Sequence, residues 1–290
     1  MPNSSTGATA QNPWSIFHNL MNTIARIIDD APHSAAFNMA ADLHVLSLCD
    51  KTPAVTVRLY SWEKPSITLG ISEKPHETLD LRSLEQAGAE WIRRPTGGRS
   101  VLHHGDITYS CIFSAHSPGM GATLMETYRV ISDCLMAGLA LAGIDCSRHD
   151  SPHDRIGPGS KTRLPCFLSP NRHEIMAGER KLVGSAQKRT AGAALQHGSI
   201  PVTGAFRNLP DFLRLLPQER EAQKLLLEKK CVCVQELRPV LDERELRSCL
   251  IRGFRETLPF ECSLSPWTPE EINTIETIAN SSEFREKWQS

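Results

Sequence analysis

The stretch that decides the fold is Glu90–Phe113, EWIRRPTGGRSVLHHGDITYSCIF. It reads as strand, Gly-Gly turn, strand, turn, strand. β-Branched and aromatic residues alternate with polar ones, and Gly97-Gly98 and Gly105 punctuate the run. Gly97-Gly98 permits positive φ and turns backbone N–H groups toward a ligand carbonyl or phosphate, although the same pair also marks ordinary hairpins. His103 and His104 fall on opposite faces of a regular strand, so one can line a pocket while the other faces solvent or core. Arg93 and Arg94 can bind an anionic group or sit on a solvated face.

Outward from this run, ARIIDD (25–30), VTVRLY (55–60) and SITLGI (66–71) read as further strands. AAFNMAADLHVLSLC (35–49) reads as a helix, and a shorter one runs over Leu79–Ala87 and ends at Gly88. ATLMETYRVISDCLMAGLALAG (122–143) carries Leu124, Tyr128, Ile131, Leu135 and Leu139 at helical spacing and closes at Gly143. Downstream, HEIMA (173–177), KLVGSAQ (181–187) and ALQHGSI (194–200) are strands. Residues 147–165 are polar and rich in Pro and Gly, which suits a substrate-gating loop. The pattern after Leu209 turns helical and charged. One capping box lies at Asp242/Glu245 and another at Thr268/Glu271, with Pro269 at the first helical position. The organisation expected is an irregular tail over 1–22, a catalytic domain over 23–245 and a helical extension over 246–290.

With 290 residues, 40% hydrophobic and 22% charged, the chain suits one large α/β domain. A net charge of −1 argues against broad attraction to nucleic acid or acidic lipid. No apolar run is long enough to span a membrane, and the first 14 residues lack a signal-peptide core. Nine scattered cysteines fit a reducing cytoplasm with free thiols, and no spacing resembles a metal site. Cys231 and Cys233 suit alternate positions on a strand.

The chemistry-bearing residues begin with Cys166 in PCF, fifteen residues before Lys181. A thiol with an ordinary pKa near 8.5 is mostly protonated at neutral pH. A nearby ammonium favours the thiolate, which exchanges one thioester for another at little thermodynamic cost. On a regular strand Lys181, Val183, Ser185 and Gln187 share one face and can line a site together. Gly184 within the strand signals a bulge or a close backbone approach. His197-Gly198-Ser199 present a further histidine near the end of the next strand.

The ordered set RRPTGGRSVLHHGDITYS, GERKLVGSAQKR and LQHGSI, with FNMAAD upstream, resembles the biotin/lipoate protein ligase family over roughly residues 24–245. Within it, Cys166 in PCF and Gln187 in GSAQ look most like the cysteine-dependent octanoyltransferases. The resemblance implies an α/β fold like the class II aminoacyl-tRNA synthetase/biotin ligase catalytic domain. A mixed central sheet would be flanked by helices, with a small helical C-terminal region and an acyl tunnel. It implies Cys166 as the thioester nucleophile and Lys181 as the residue that lowers its pKa. Arg94, Gly97, Gly98 and His103 map to the Gly-rich pocket segment, and Gly184, Ser185, Gln187, His197 and Gly198 to the strands framing it.

The activity implied is transfer of an octanoyl group from octanoyl-acyl carrier protein to a lysine of a lipoyl domain such as glycine cleavage protein H. No cofactor or metal is expected, and the location expected is cytoplasmic. An ATP-dependent lipoate–protein ligase and an amidotransferase acting between lipoyl domains are the competing readings. Arg99, where such ligases tend to carry a third glycine, weakens the first. Either His103 or His197 can take the proton of the acceptor lysine.

Overall fold

The computed structural model describes residues 24–52, 54–115, 117–149 and 174–290. The expected tail over 1–22 and all of the 147–165 loop beyond His149 lie outside the described residues, as does Cys166. The strands are β1 Ala25–His33, β2 Val55–Trp62, β3 Ser66–Leu69, β4 Glu90–Arg93, β5 Val101–His103, β6 Asp106–Ser114, β7 Ser147–His149, β8 Glu174–Ala177, β9 Arg180–Arg189, β10 Ala193–Pro201 and β11 Cys262–Leu264. The longer helices are α1 Ala35–Cys49, α2 Leu124–Leu141, α3 Pro217–Lys230, α4 Glu243–Thr257, α5 Pro269–Asn280 and α6 Ser282–Trp288.

Eight strands form one mixed sheet in the order β11-β1-β2-β6-β10-β9-β8-β7. The pairs β11–β1 and β1–β2 are parallel, and the remainder are antiparallel. A second sheet, β4-β3-β5, stands apart with its own core of Ile67, Leu69, Leu79, Leu84, Leu102 and Leu209. The quoted run therefore contributes to both sheets: β4 and β5 to the small one, β6 to the large one.

Strand alternation sorts the large sheet into two faces. Val55, Val57 and Leu59 of β2, with Ile107, Tyr109, Cys111 and Phe113 of β6, enter a core shared with α2 and α4. On α2, Ile131, Leu135 and Leu139 are buried as the helical spacing requires, but Leu124 in the first turn is exposed. The helix starts on a complete Thr123/Glu126 capping box, and Gly143 follows it at φ +71°. α2 and α4 cross at Gly138 and Gly253, where a Cβ on Gly253 would lie 2.3 Å from the Gly138 nitrogen.

The opposite face is covered by α1, α5 and α6. Ile28, Ile112 and Leu195 pack there with Phe37, Ala40, Trp267, Ile275, Phe284 and Trp288. Two expectations are corrected. The boundary expected at 245/246 falls inside α4, whose N-cap is Asp242. Residues beyond it are integral: β11 extends the sheet beside β1, and Trp267 to Trp288 close its core. Cys231 and Cys233 do not alternate on a strand. Cys231 makes an isolated bridge with Lys181, and Cys233 caps the helical turn Val234–Leu237. Both thiols are buried among Val101, Phe206 and Leu227, a packing role that two-residue spacing cannot distinguish from a strand.

Candidate active site

A cavity open to solvent lies where the two sheets meet. Tyr60 and Trp62 of β2, Thr108 of β6, and His197 and Ser199 of β10 wall it from the large sheet. Gly184, Ser185 and Ala186 of β9 form one flank, with Met39 of α1 nearby. Thr68 of β3, Arg94 just after β4, and Val101 and His103 of β5 face them from the small sheet. Segments far apart in sequence thus converge because β6 and β10 pair along their full length while β5 turns into β6 at Gly105 (φ +68°).

Arg94 is the hub. Its buried guanidinium donates from Nε to Thr96 Oγ1 (3.1 Å) and from Nη1 to the Thr68 carbonyl (3.1 Å) and hydroxyl (3.4 Å). Nη2 donates to the carbonyls of Gly97 and Arg99, both at 2.8 Å. Of the two roles open to Arg94 in the sequence, the structure gives neither: the fork holds the Gly-Gly loop by its carbonyls. Gly98 sits at φ +97°, and its carbonyl would lie 2.0 Å from any Cβ on Gly70. Gly70 is thus required by close approach. Gly97 does not line the cavity and serves through its carbonyl.

Each threonine on Arg94 continues to a histidine and an aspartate. Thr96 Oγ1 lies 2.7 Å from His197 Nε2, and His197 Nδ1 lies 3.4 Å from Asp42 Oδ2. Thr68 Oγ1 lies 3.0 Å from His103 Nε2, and His103 Nδ1 lies 2.9 Å from Asp106 Oδ2. A hydroxyl that accepts from Arg94 has its own hydrogen to give, so each threonine donates to a histidine Nε2. Each ring then carries its proton on Nδ1 and donates it to a carboxylate. Burial pushes the His197 pKa down, although the Asp42 carboxylate pulls it the other way, so this ring is neutral at pH 7. His103 stacks on Trp62 with ring centroids 4.2 Å apart, and His104, in the bend just after β5, is exposed.

On β9 the expected parity is corrected. Ile175 of β8 pairs with Val183, but the next residue, Met176, pairs with Lys181, so Leu182 is an extra residue in a bulge. Leu182 and Val183 both enter the α2/α4 core. Lys181 is thereby rotated away from the side of Val183, Ser185 and Gln187, onto the face of Glu174 and of Gly184 and Ala186. There Lys181 Nζ donates to Glu174 Oε1 at 2.5 Å, with both side chains buried. Ser185 Oγ instead bonds Tyr109 OH (2.7 Å), and Gln187 Nε2 donates to Gln196 Oε1 (3.2 Å), on the α2 side of the sheet. Ser185 still borders the cavity, whereas Lys181 and Gln187 are not among its lining residues. Gly198 is dictated by packing: a Cβ there would lie 2.4 Å from the Gly184 carbonyl and 2.7 Å from the Tyr109 ring.

Sequence reasoning missed Thr68, Thr96, Asp42 and Asp106. Asp42 carried a signal, since it lies four residues after Asn38 in the mostly apolar first half of its helix, and both are fully buried. Asn38 Oδ1 accepts from Arg58 Nη2 (2.6 Å), and Asp42 accepts from Arg58 Nη1 (3.4 Å), Tyr60 OH (3.2 Å) and Ser110 Oγ (2.9 Å). The threonines carried none, because hydroxyls on strands and turns are common.

The described cysteines are all free and number eight: 49, 111, 134, 146, 231, 233, 249 and 262. Burial raises the pKa of every one, to about 12 for Cys49, Cys134 and Cys231. Cys231 stays high although the Lys181 charge opposes the effect of burial. No group of three or more His, Cys, Asp or Glu side chains suited to a metal ion occurs among the described residues. Nor is any described helix long and apolar enough to cross a membrane.

The model of the lipoyl protein ligase A/B catalytic domain matches residues 34–255. Octanoyltransferase LipM of Kyrpidia tusciae is 36% identical over 261 residues, covering 87% of this chain and 94% of that protein. Octanoyltransferase LipM of Bacillus subtilis is 32% identical, covering 91% and 96% respectively. Among solved structures, lipoate-protein ligase A bound with ATP has a TM-score of 0.70 at 24% identity, over 89% of this chain and 95% of that one. The bipartite lipoate protein ligase of Thermoplasma acidophilum has a TM-score of 0.72 at 20% identity, over 91% and 96%. These two establish the lipoate-ligase fold expected from the motifs. On the length of the family match and the identity of its relatives, the chain belongs to the lipoyl protein ligase A/B catalytic domain family.

Proposed function

We propose that the chain is an acyltransferase of lipoate biosynthesis that moves an octanoyl group to a lysine of a lipoyl domain through a thioester on Cys166. The observation that carries this reading is the convergence of three separated motifs on one pocket: Arg94 with His103, Gly184 with Ser185, and His197 with Gly198. Relatives named octanoyltransferase, matched over nearly their whole length, support the acyl group. Burying an eight-carbon chain contributes about 5 kcal/mol, at about 0.8 kcal/mol per methylene. Octanoyl-acyl carrier protein is the donor in this reading, and glycine cleavage protein H is one acceptor.

The nucleophile in this reading is the one that the resemblance implies, Cys166 in PCF. Burial raises the thiol pKa of each of the eight described cysteines, which disfavours their thiolates. Cys166 lies eight residues in sequence before Glu174, whose carboxylate bonds the Lys181 ammonium. Lys181 supplies the positive charge that favours the Cys166 thiolate. Thiolate attack on the carrier's thioester forms one C–S bond and breaks another. Amine attack then gives an amide, a downhill exchange that needs neither ATP nor metal.

Intact-mass analysis after mixing with octanoyl-acyl carrier protein tests this reading. The wild type gains the mass of one octanoyl group, and Cys166→Ala gains none. An acylated, active Cys166→Ala enzyme would sink the thioester. Substoichiometric iodoacetamide at neutral pH labels Cys166 ahead of the eight others, and uniform labelling would remove its claim to be the activated thiol.

A further inference from the structure

The two Thr–His–Asp arms on Arg94 look alike, but their carboxylates have different charged neighbours. Asp42 has a cation beside it, shared with Asp30: Arg58 pairs with Asp42 at 3.4 Å and with Asp30 at 2.7 Å, and Tyr60 and Ser110 donate to Asp42 as well. Its bond to His197 is the long one, at 3.4 Å. Asp106 is buried too, yet among the described residues no arginine or lysine pairs with it. Its Oδ2 accepts from Thr108 (3.0 Å) and Ser199 (2.7 Å) as well as from His103 (2.9 Å), and its Oδ1 is buried with no hydrogen-bond partner.

A buried carboxylate without a cation is costly, and the group that can relieve it is the imidazole bonded to it. A proton arriving on His103 Nε2 makes an imidazolium beside an uncompensated negative charge and against the face of Trp62, which also favours a cation. A proton arriving on His197 meets a carboxylate that Arg58 already pairs with, across a longer bond of 3.4 Å, and the Arg94 charge opposes it. We infer that His103, oriented by Asp106 and hydrogen-bonded to Thr68, is the proton acceptor for the attacking lysine, and that His197 stays neutral as a positioning residue. This deepens the acyl-transfer reading and rests on it.

The acceptor lysine sheds one proton to water and enters as a neutral amine. Its nitrogen attacks the acyl carbonyl, and a C–N bond forms. One of its two N–H protons passes to His103 Nε2, directly or through Thr68 Oγ1, which hands its own hydrogen to the ring as it takes the amine's, and the other stays on the amide nitrogen. The C–S bond breaks with its electron pair on the enzyme sulfur, and the imidazolium returns its proton to that thiolate or to water. The charged and titratable groups around His103 are Asp106 beside it, Arg94 beyond Thr68, His197 on β10, and Tyr60 on β2, whose phenol burial keeps protonated.

Octanoyl-loaded enzyme, isolated and then mixed with a lipoyl domain, isolates this step from loading. Once loaded, at whatever rate loading occurs, His103→Gln transfers its octanoyl group about 100-fold or more slowly in a single turnover, the usual scale for losing a general base. His197→Gln leaves the pH at which transfer falls off on the acid side unchanged. Asp106→Asn keeps the shape of the orienting group but removes its charge. The His103 imidazolium is then less stable, and the acid limb moves to lower pH with a slower plateau. Transfer by His103→Gln at the wild-type rate, or an acid limb displaced by His197→Gln instead, overturns the assignment. Should His103→Gln fail to fold, an unshifted acid limb in Asp106→Asn overturns it equally. Absence of loading in the wild type sinks the acyl-transfer reading itself, a separate result.

Discussion

The two faces of the eight-stranded sheet are covered by helices but held by different physics. On the α2/α4 face, Val55, Val57, Leu59, Ile107 and Phe113 pack against Ile131, Leu135, Leu250 and Phe254, and the helices approach until glycine is the only residue that fits. On the α1/α5 face, an apolar margin surrounds a buried charged centre. Arg58 pairs with Asp30 (2.7 Å) and Asp42 (3.4 Å), lies over the Tyr60 ring at 4.0 Å, and bonds Asn38. Trp267, from the segment after α4, donates to the same Asp30 (2.7 Å). Through Asp42 this centre reaches His197 and the pocket. One face supplies stability by burial, whereas the other commits buried charge to the orientation of a site. The C-terminal segment is therefore tied to the pocket through Trp267.

The sharpest way to break that comparison is Arg58→Met. It leaves Asp30 and Asp42 without their shared cation, and removing one partner of a buried ion pair costs about 3–5 kcal/mol. The outcome expected is a large fall in urea midpoint together with loss of acyl transfer in the molecules that remain folded. A variant of near-native stability would mean that the charged centre is not what holds this face. Gly253→Ala probes the other face. Its new Cβ meets backbone of α2, including the Cys134 carbonyl at 2.5 Å, so the helices must separate. Overpacking of this kind costs about 1–3 kcal/mol. Here the turnover of folded molecules stays native, and a selective loss of activity without loss of stability would erase the division between the faces.

The same contrast explains what could be read from the sequence. The α2/α4 face was legible because period 2 on β2 and β6, and helical spacing at Ile131, Leu135 and Leu139, report burial directly. The site was legible where motifs carry unusual residues: Arg94, His103, Gly184 and His197 all border the pocket. Parity failed on β9, since the bulge adds Leu182 two residues before the glycine that hinted at it. A single inserted residue exchanges faces, and no local preference of KLVGSAQ reveals it. Arg94 was misread because a buried arginine whose donors end on backbone carbonyls has the same sequence appearance as an anion ligand. Thr68 and Thr96 were invisible for the related reason that their meaning comes from what Arg94 and the histidines do on either side. The extension boundary failed because the partners of Trp267 and β11 lie more than two hundred residues away.

The smallest expected effect lies in the acid limb of stability. Burial alone would raise the Asp30 pKa, but hydrogen bonds from His33 and Trp267 and the adjacent Arg58 guanidinium outweigh it and hold the carboxyl well below the usual range. A group whose pKa is depressed in the folded state stabilises it above the unfolded value, near 3.9 for Asp, and that contribution is lost as pH falls further. Urea titrations from about pH 6 to about pH 3 should give a wild-type stability that drops with acid, and a shallower drop for Asp30→Asn, which has no proton to take up there. The other face supplies the control. Ile131→Val removes a methylene from a core that contains no carboxylate, and should lower the whole curve by about 1 kcal/mol without altering its slope. Parallel curves for wild type and Asp30→Asn would assign the acid sensitivity to other carboxylates. A changed slope in Ile131→Val would mean that the two faces do not unfold by separable causes.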